Sequence, residues 1–171
     1  MRPMGQRNKL YLAAPLFNDM ERRFNAEVAD RLQEFFDVFL PQRDGGLMVE
    51  MIKDGANPSA AARKVFQIDV GALDWCDVLL IVLDGRAVDE GAAFELGYAY
   101  AQGKTCCALQ TDVRRLLSFG NNPMIEGAVH ELFQSVDELL VWARRFAVEG
   151  ARASRIRHVQ YPLLNNKPKT Y

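Results

Sequence analysis

Four of the carboxylates between residues 69 and 95 are the side chains of this chain best suited to covalent chemistry: Asp69, Asp84, Asp89 and Glu95. Glu95 lies in a segment of small, apolar and aromatic residues, 91–102, which has helical spacing and no other charge. A carboxylate nucleophile paired with a carboxyl acid can cleave a bond at an anomeric carbon. We therefore interpret Glu95 as a candidate nucleophile. The simpler alternatives are a solvated surface position for Glu95 and a solvated helix position for Asp69.

Local sequence signals indicate where the groups around Glu95 would lie. Asp89 can cap the helix of Glu95 at its N-terminus, and Asp84 and Gly85 directly follow an apolar run. The positive end of the helix favours ionised carboxylates, so we expect Glu95 to be charged near neutral pH if Tyr11 donates a hydrogen bond to it. The alternative that Asp89 serves only as a cap stays open.

Alternating strands and helices are predicted to position these residues. Short runs rich in Val, Leu and Ile indicate buried strands, and apolar residues at helical spacing indicate helices. The predicted strands are residues 10–14, 38–40, 78–83 and 104–109. The predicted helices are residues 18–36, 58–74, 91–102 and 135–148, with residues 123–130 as a further helix. Segments 42–57 and 110–122 are expected to be loops, the first of them over the site.

The βαβαβαβ order, closed by a helix, predicts a doubly wound α/β fold of the flavodoxin-like or Rossmann-like kind, with a mainly parallel sheet flanked by helices. Such open sheets bind ligands in the crevice beyond the carboxyl ends of their strands, and Glu95 would point into it. We assign residues 1–149 to this domain. Residues 150–171, which carry several Arg and Lys, are predicted to form a C-terminal arm. The sequence does not define the order of the strands.

Composition restricts the classes of partner. The chain has 171 residues, of which 49% are hydrophobic and 25% are charged, as in an ordinary globular domain. Its formal net charge of -1 provides no general attraction to nucleic acid or to an anionic membrane, so a small ligand is expected. The apolar stretch at residues 10–15 is too short for a signal peptide or a membrane span, and we expect a cytoplasmic protein.

Sequence motifs for metals and cofactors are missing. Cys76, Cys106 and Cys107 form no CxxC pair and are interpreted as buried, reduced thiols. The two histidines, His130 and His158, have no cysteine pattern near them, which argues against a zinc site. Neither GxxxxGK[ST] nor GxGxxG occurs, so a nucleotide cofactor would have no phosphate-binding loop. We therefore expect neither a metal nor a cofactor.

Four segments of the chain resemble the nucleoside 2-deoxyribosyltransferase family: YLAAPLFN from Tyr11, LPQRD from Leu40, LDGRAVDEGAAFELGYAYAQGK from Leu83 and NPM from Asn122. The resemblance covers roughly residues 10–142. It implies that the glutamate attacks the anomeric carbon of a 2′-deoxyribonucleoside and forms a covalent deoxyribosyl-enzyme. A second nucleobase would then attack this intermediate and complete the exchange.

The roles of individual residues are implied by the resemblance. Glu95 would be the nucleophile, Tyr11 would orient it, and Asp69 would act as acid and base near the nucleobase. Asp89 would hold the sugar hydroxyls, and Gln42 would contact the base. The implied substrate-binding residues are Asp89, Gln42, Asp84, Gly85, Phe17, Asn122 and Met124.

The resemblance also implies an assembly. Asn122 matches an asparagine that the family inserts into the active site of a neighbouring subunit. We therefore expect a homo-oligomer, either a dimer or a trimer of dimers, with Asn122 shared across subunits. Its partners would be a deoxynucleoside and a free nucleobase, with no nucleic acid and no membrane.

Departures from the family pattern leave alternatives open. The chain has Ala14 and Ala92 where the family often has glycine and threonine, and the poor match of residues 42–57 leaves the choice between purine and pyrimidine open. One alternative function is an N-glycosidase that hydrolyses 2′-deoxynucleosides or their 5′-monophosphates. The carboxylate of Asp89 would repel a phosphate, although Arg86 could compensate. The other is a non-catalytic flavodoxin-like binding module, which would leave the isolated Glu95 unexplained.

Overall fold

A single five-stranded sheet, with all strands parallel, organises the part of the chain that the structure describes. The computed structural model describes residues 7–112 and 121–149. Its strands, in the spatial order β2-β1-β3-β4-β5, are β1 (Asn8–Ala13), β2 (Phe36–Phe39), β3 (Val78–Val82), β4 (Thr105–Leu109) and β5 (Glu131–Phe133). The central strand β3 is buried along its whole length, because helices cover both faces of the sheet. The predicted α/β class is confirmed.

Helices connect the strands in the described residues. They are α1 (Asp19–Leu32), α2 (Met48–Lys53), α3 (Pro58–Trp75), α4 (Glu90–Ala101), α5 (Pro123–Ala128) and α6 (Val136–Glu149), and a π-helical turn spans Pro41–Gly45. The ends of the helices follow from local side chains. Asn18, for example, accepts a hydrogen bond from the backbone of Glu21, whose carboxylate accepts one in return from the backbone of Asn18. Within residues 7–112 and 121–149, no helix has both the length and the apolar character needed to cross a membrane.

The alternation of side chains along β1 assigns residues to the two faces of the sheet. Leu10 and Leu12 pack with α1 and α6 on one face, and Tyr11 and Ala13 pack with α3 and α4 on the other. Because Tyr11 lies on the second face, its hydroxyl group can reach the helix that carries Glu95. The candidate nucleophile and its expected orienting residue are thus brought together by strand pleating and helix packing.

Two predicted boundaries on the first face are wrong. The helix predicted for residues 18–36 ends at Leu32, and Phe36 is the first residue of β2. Phe36 keeps the helical spacing in the sequence, but in the structure it is buried and its ring stacks on Trp142 at 6.1 Å between centroids. The strand predicted at 38–40 therefore begins earlier and ends at Phe39. Tertiary burial decides between two local patterns here.

Other segments contain more structure than predicted. Segment 42–57, expected to be an irregular loop, contains most of the π-helical turn and all of α2. The strand β5 has no counterpart in the prediction, because three residues are too few to show a period. The predicted helix at 123–130 is present as α5. The predicted C-terminal arm, 150–171, and residues 113–120 of the predicted loop lie outside the described residues.

Candidate active site

Glu95 and Tyr11 form the central contact of the candidate site. Glu95 lies in the second turn of α4, and its Oε1 accepts a hydrogen bond of 2.6 Å from the hydroxyl of Tyr11 on β1. The side chain of Tyr11 is fully buried, and its ring stacks on Phe39 with 5.3 Å between the ring centroids. The hydrogen bond expected from the sequence is therefore present. The packing of the buried ring places the hydroxyl group of Tyr11 beside the carboxylate of Glu95.

The proton affinity of Glu95 differs from the sequence-based expectation. Burial raises the pKa of Glu95 to about 7; the hydrogen bond from Tyr11 lowers it, and the negative charges of Asp69 and Asp89 raise it further. Glu95 is therefore expected to be only partly ionised near neutral pH, less than its place near the helix N-terminus suggested from the sequence. Desolvation exceeds the effect of the helix end, because the carboxylate lies inside the site and not at the solvent-exposed helix terminus.

Asp69, on α3, is a second carboxyl group with a raised proton affinity. Burial raises its pKa to about 6. Its Oδ1 atom is buried and has no hydrogen-bond partner among the described residues. A carboxyl group without donors, in an environment of low polarity, keeps its proton to a higher pH than an exposed aspartate does. Asp69 thus has the property that a general acid requires.

A cavity of about 400 Å³ joins the two carboxyl groups. It lies between α3 and α4, and apart from Asp69 and Glu95 it is lined by Met48, Ala62, Val65, Phe66, Val70, Leu73, Gly91 and Phe94. This lining suits a neutral ligand that has a flat apolar face and a few polar atoms.

Two aromatic residues of the cavity, Phe66 and Phe94, were not predicted from the sequence as site residues. Their side chains are 57% and 53% exposed, and their ring centroids lie 6.3 Å apart at the cavity. For Phe66 a signal was present in the sequence, because it precedes Asp69 by about one helical turn and so lies on the same side of the helix. Exposed aromatic rings beside carboxyl groups provide a stacking surface for a ligand.

Asp89 caps α4, as the sequence predicts. Its Oδ2 accepts a hydrogen bond of 2.8 Å from the backbone N–H of Ala92. Asp89 also acts electrostatically on Glu95, so its carboxylate belongs to the surroundings of the candidate nucleophile. The capping bond is compatible with a second role, because a carboxylate has further acceptor sites.

Asp84 and Gly85 have structural roles at the end of β3. The Oδ1 atom of Asp84 accepts hydrogen bonds from the backbone N–H groups of Thr111 and Asp112, at 2.6 and 2.8 Å. Its Oδ2 accepts one from the hydroxyl group of Thr111 at 2.6 Å. Gly85 permits the turn that follows, since its φ is +106°. Asp84 therefore joins the ends of β3 and β4, and both of its oxygens already have protein donors.

Gln42 is engaged in a similar way. Its amide nitrogen donates to the carbonyl of Arg22 at 2.8 Å, and its amide oxygen accepts from Asn25 at 3.1 Å. Asn25 is buried and also donates to the carbonyl of Pro15. The amide thus connects the π-helical turn to α1, a role that sequence reasoning did not assign. The ring of Phe17, just before α1, is exposed.

Asn122 and Met124 line a different groove. The Oδ1 atom of Asn122 accepts a hydrogen bond of 2.9 Å from the backbone N–H of Met124 and caps α5. The side chain of Met124 is 81% exposed. Both residues border a groove of about 590 Å³ between α4 and α5, and neither lines the cavity of Glu95 in the same chain.

The cysteines and the potential metal ligands lie apart from this chemistry. Cys76, Cys106 and Cys107 are buried free thiols, as predicted, and burial raises the pKa of Cys76 to about 11 and that of Cys106 to about 12. These thiols are therefore protonated at neutral pH. In the described ranges, no group of three or more His, Cys, Asp or Glu side chains is arranged to hold a metal ion.

Comparisons with known proteins show what this chain is similar to. A family model described as nucleoside 2-deoxyribosyltransferase matches residues 10–140. A conserved protein from Enterococcus faecalis V583 is 25% identical, with a TM-score of 0.70 over 81% of this chain and 98% of that chain. A 2-deoxyribosyltransferase from Bacillus psychrosaccharolyticus is also 25% identical, with a TM-score of 0.64 over 77% of this chain and 90% of that chain.

A third solved structure shares the fold alone. It is a CMP N-glycosidase from Clostridium botulinum, which is 18% identical, with a TM-score of 0.53 over 81% of this chain and 99% of that chain. No curated protein sequence matches the chain.

Proposed function

This chain belongs to the nucleoside 2-deoxyribosyltransferase family, and we propose that it transfers 2-deoxyribose between nucleobases through a covalent intermediate on Glu95. The observation that carries the proposal is the 2.6 Å hydrogen bond from Tyr11 to Glu95, beside the protonatable Asp69 in one apolar cavity. Two partly buried carboxyl groups with separate surroundings are an arrangement suited to cleavage at an anomeric carbon.

The reaction has two matched halves. In the first, an oxygen of the Glu95 carboxylate forms a bond to C1′ while the bond from C1′ to the base nitrogen breaks. Asp69 gives its proton to that nitrogen, so the base leaves in neutral form. In the second half, a new base attacks C1′, gives a proton to Asp69 and releases Glu95. Tyr11 keeps the reacting oxygen oriented throughout, since its own pKa is raised well above the usual range by burial and by Glu95.

The proposed reaction requires Glu95 to be ionised while Asp69 is protonated. The pKa values of Glu95 and Asp69 are both raised toward neutrality, to about 7 and about 6, so singly protonated forms of the pair are populated near neutral pH. Because the two groups interact, these values describe the pair. Activity should therefore follow a bell-shaped pH profile centred between pH 6 and pH 7.

The charges and the apolar lining favour a nucleoside as substrate. Asp89, at the start of α4, provides a carboxylate that can accept hydrogen bonds from sugar hydroxyls and repels a phosphate group. The exposed rings of Phe66 and Phe94 can stack on the faces of a nucleobase, and the lining offers few groups that distinguish one base from another. We therefore include purines and pyrimidines among the acceptors.

A shared site between subunits belongs to the same proposal. The exposed residues of α4 after Glu90 are all small, apolar or aromatic, namely Gly91, Phe94, Gly97, Tyr100 and Ala101. Together with the groove beside Asn122 and the exposed Met124, they form an uncharged surface suited to a second copy of the chain. Asn122 would then extend from one subunit to the sugar that is bound to its neighbour.

The proposed function is tested by incubating the protein with deoxyadenosine and cytosine and separating the products by liquid chromatography. Base exchange yields adenine and deoxycytidine in equal amounts. Glu95→Ala should yield neither, whereas Glu90→Ala, at an exposed position on the same helix, should retain activity. Adenine without deoxycytidine would indicate an N-glycosidase instead. No product from any deoxynucleoside would indicate a binding module and reject catalysis.

A further inference from the structure

The π-helical turn between β2 and α2 is held rigidly by its own side chains. The Oδ2 atom of Asp44 accepts a hydrogen bond of 2.8 Å from the backbone N–H of Leu40. Arg43 donates to both oxygens of Asp44 at 3.0 Å and to the carbonyl of Val38 at 3.0 Å. These hydrogen bonds connect the backbone of the turn to the end of β2 and oppose its displacement.

Gly45, the last residue of this turn, lies against the proposed acid. A Cβ atom built on Gly45 would lie 2.8 Å from Oδ1 of Asp69 and 3.6 Å from the ring of Phe39. The next residue, Gly46, needs glycine for its backbone, with a φ of +81°, whereas Gly45 is not among the glycines with positive φ. Close approach to Asp69, and not backbone conformation, is therefore the reason for glycine at position 45.

The contact covers one oxygen of Asp69 without offering it a donor. Oδ1 is buried and has no hydrogen-bond partner among the described residues, although Asp69 as a whole is only partly buried. No hydrogen bond from the described residues reaches Oδ2, and this atom is not buried, so Oδ2 is the oxygen that stays accessible. A carboxylate oxygen that loses water and gains no hydrogen bond disfavours the ionised form.

We propose that Gly45 is a positioning residue for the acid: its bare Cα closes Oδ1 of Asp69 off from water and leaves Oδ2 to face the ligand. In this arrangement the proton resides on the only oxygen that can pass it to a nucleobase. A Cβ at Gly45 would also approach Phe39, whose ring stacks on Tyr11, so this position lies near both partners of Glu95. The catalytic meaning of this contact rests on the proposed function, whereas the contact itself does not.

The charged groups on the elements packed against Asp69 include Glu95 and, in the turn, Arg43 and Asp44. Glu95 on α4 lines the same cavity, and the negative charge of Asp69 raises the pKa of Glu95 and of Tyr11 on β1. Within the turn, Arg43 and Asp44 pair with each other. Burial is the cause of the raised pKa of Asp69. Gly45 contributes to this burial, and a single substitution at Gly45 can change it.

The test is a carboxyl titration of Asp69 by nuclear magnetic resonance in protein labelled with ¹³C-aspartate, with the signal assigned by its loss in Asp69→Asn. In Gly45→Ala the methyl group must displace the Asp69 side chain, because the turn is fixed, and the displaced carboxyl gains water. The midpoint should fall by about one pH unit or more, a tenfold loss of proton affinity. Gly71→Ala is the matched control. A Cβ at Gly71 meets nothing within 4 Å, and Gly71 lies on α3, the helix that carries Asp69. Equal midpoints in Gly45→Ala and the wild type would overturn the proposal.

A second comparison keeps the proposal testable if Gly45→Ala folds poorly. The melting temperature is measured for Gly45→Ala in the wild-type background and in an Asp69→Ala background. The loss should be smaller in the second background, because the atom that meets the new methyl group is gone. Equal losses in the two backgrounds would show that Gly45 does not act through Asp69.

Base exchange provides the functional readout. In Gly45→Ala the acidic limb of the pH profile should move to lower pH, and the maximal rate should fall about tenfold for each pH unit of that shift. Lack of exchange in the wild type, with a shifted titration in Gly45→Ala, would reject the proposed function and keep the inference. Normal exchange in the wild type, with an unshifted titration in Gly45→Ala, would keep the proposed function and reject the inference.

Discussion

The hydroxyl group of Tyr11 and the carboxylate of Glu95 are joined by a hydrogen bond of 2.6 Å, although the two residues lie 84 positions apart in the chain. Tyr11 is carried by β1, the strand next to the central β3, and Glu95 by the helix that follows β3. The parallel order of the strands brings these elements together on one face of the sheet. The contact therefore depends on the fold, and it connects the fold with the proposed chemistry.

Removing the hydroxyl group alone should weaken catalysis without disturbing the core. Tyr11→Phe keeps the ring that stacks on Phe39 but leaves Oε1 of Glu95 without its donor. Loss of a hydrogen bond to a charged group corresponds to about 1.5–3 kcal/mol, so kcat should fall roughly 10- to 100-fold. The pKa of Glu95 should rise, and the alkaline limb of the pH profile should move upward with it.

Tyr98→Phe is the matched control for this prediction. Tyr98 lies on the same helix as Glu95 and donates to Asp74 at 2.9 Å, outside the cavity. Its kcat and pH profile should match those of the wild type. Equal kcat values in Tyr11→Phe and Tyr98→Phe would contradict an orienting role for Tyr11.

Neutralising the nucleophile should stabilise the protein at alkaline pH. The pKa of Glu95 is raised from 4.5 to about 7 by burial, so the folded state binds its proton more tightly than the unfolded state. Stability consequently decreases as the pH rises from about 4.5 to about 7, and the full penalty is present above that range. Glu95→Gln removes the charge and should raise the free energy of unfolding at pH 8 by at most about 3 kcal/mol.

Thermal denaturation of Glu95→Gln at two pH values measures this effect. The melting temperature should exceed that of the wild type at pH 8, and the difference should disappear near pH 4.5. Glu90→Gln, at an exposed position on the same helix, should show no such dependence. An unchanged or lower melting temperature for Glu95→Gln at pH 8 would contradict the burial of this charge.

The sequence predicts the elements that carry the chemistry better than the contacts between them. The buried run of β3 and the cap at Asp89 are both readable from local residues, and both are present. The hydrogen bonds of Gln42 and Asp84 are not readable, because their partners on α1 and after β4 are distant in the sequence. The pKa of Glu95 depends in the same way on packing, which no local pattern records.

The exposed rings at the cavity should contribute to substrate binding. Phe66→Ala removes one of the two rings on which the base is proposed to stack, and stacking of a base on an aromatic ring contributes about 1–3 kcal/mol. KM for deoxyadenosine should therefore rise roughly 5- to 100-fold, with kcat little changed. Gln67→Ala, at the adjacent exposed position, is the control. A KM for Phe66→Ala equal to that of the control would place the base elsewhere.

Shared sites should be detectable by mixing inactive subunits. Asn122→Ala should lower turnover without unfolding the chain, since its side chain is exposed. Glu95→Ala subunits mixed with Asn122→Ala subunits should regain activity, because a mixed two-fold interface contains one site with both residues intact. Differently tagged subunits confirm that exchange occurs. Exchanged subunits without regained activity, or a monomer by light scattering at micromolar concentration, would reject the shared site.

The most direct test of the account is to trap the sugar on the enzyme. A 2′-deoxynucleoside analogue fluorinated on the sugar slows hydrolysis of the glycosyl intermediate, because fluorine destabilises the oxocarbenium-like transition state. Mass spectrometry of the intact protein and of its peptides should then show one added sugar per subunit, located on Glu95. Its absence in Glu95→Gln is the control. An enzyme that exchanges bases but carries no adduct, or carries it on another residue, would contradict the assignment of Glu95 as the nucleophile.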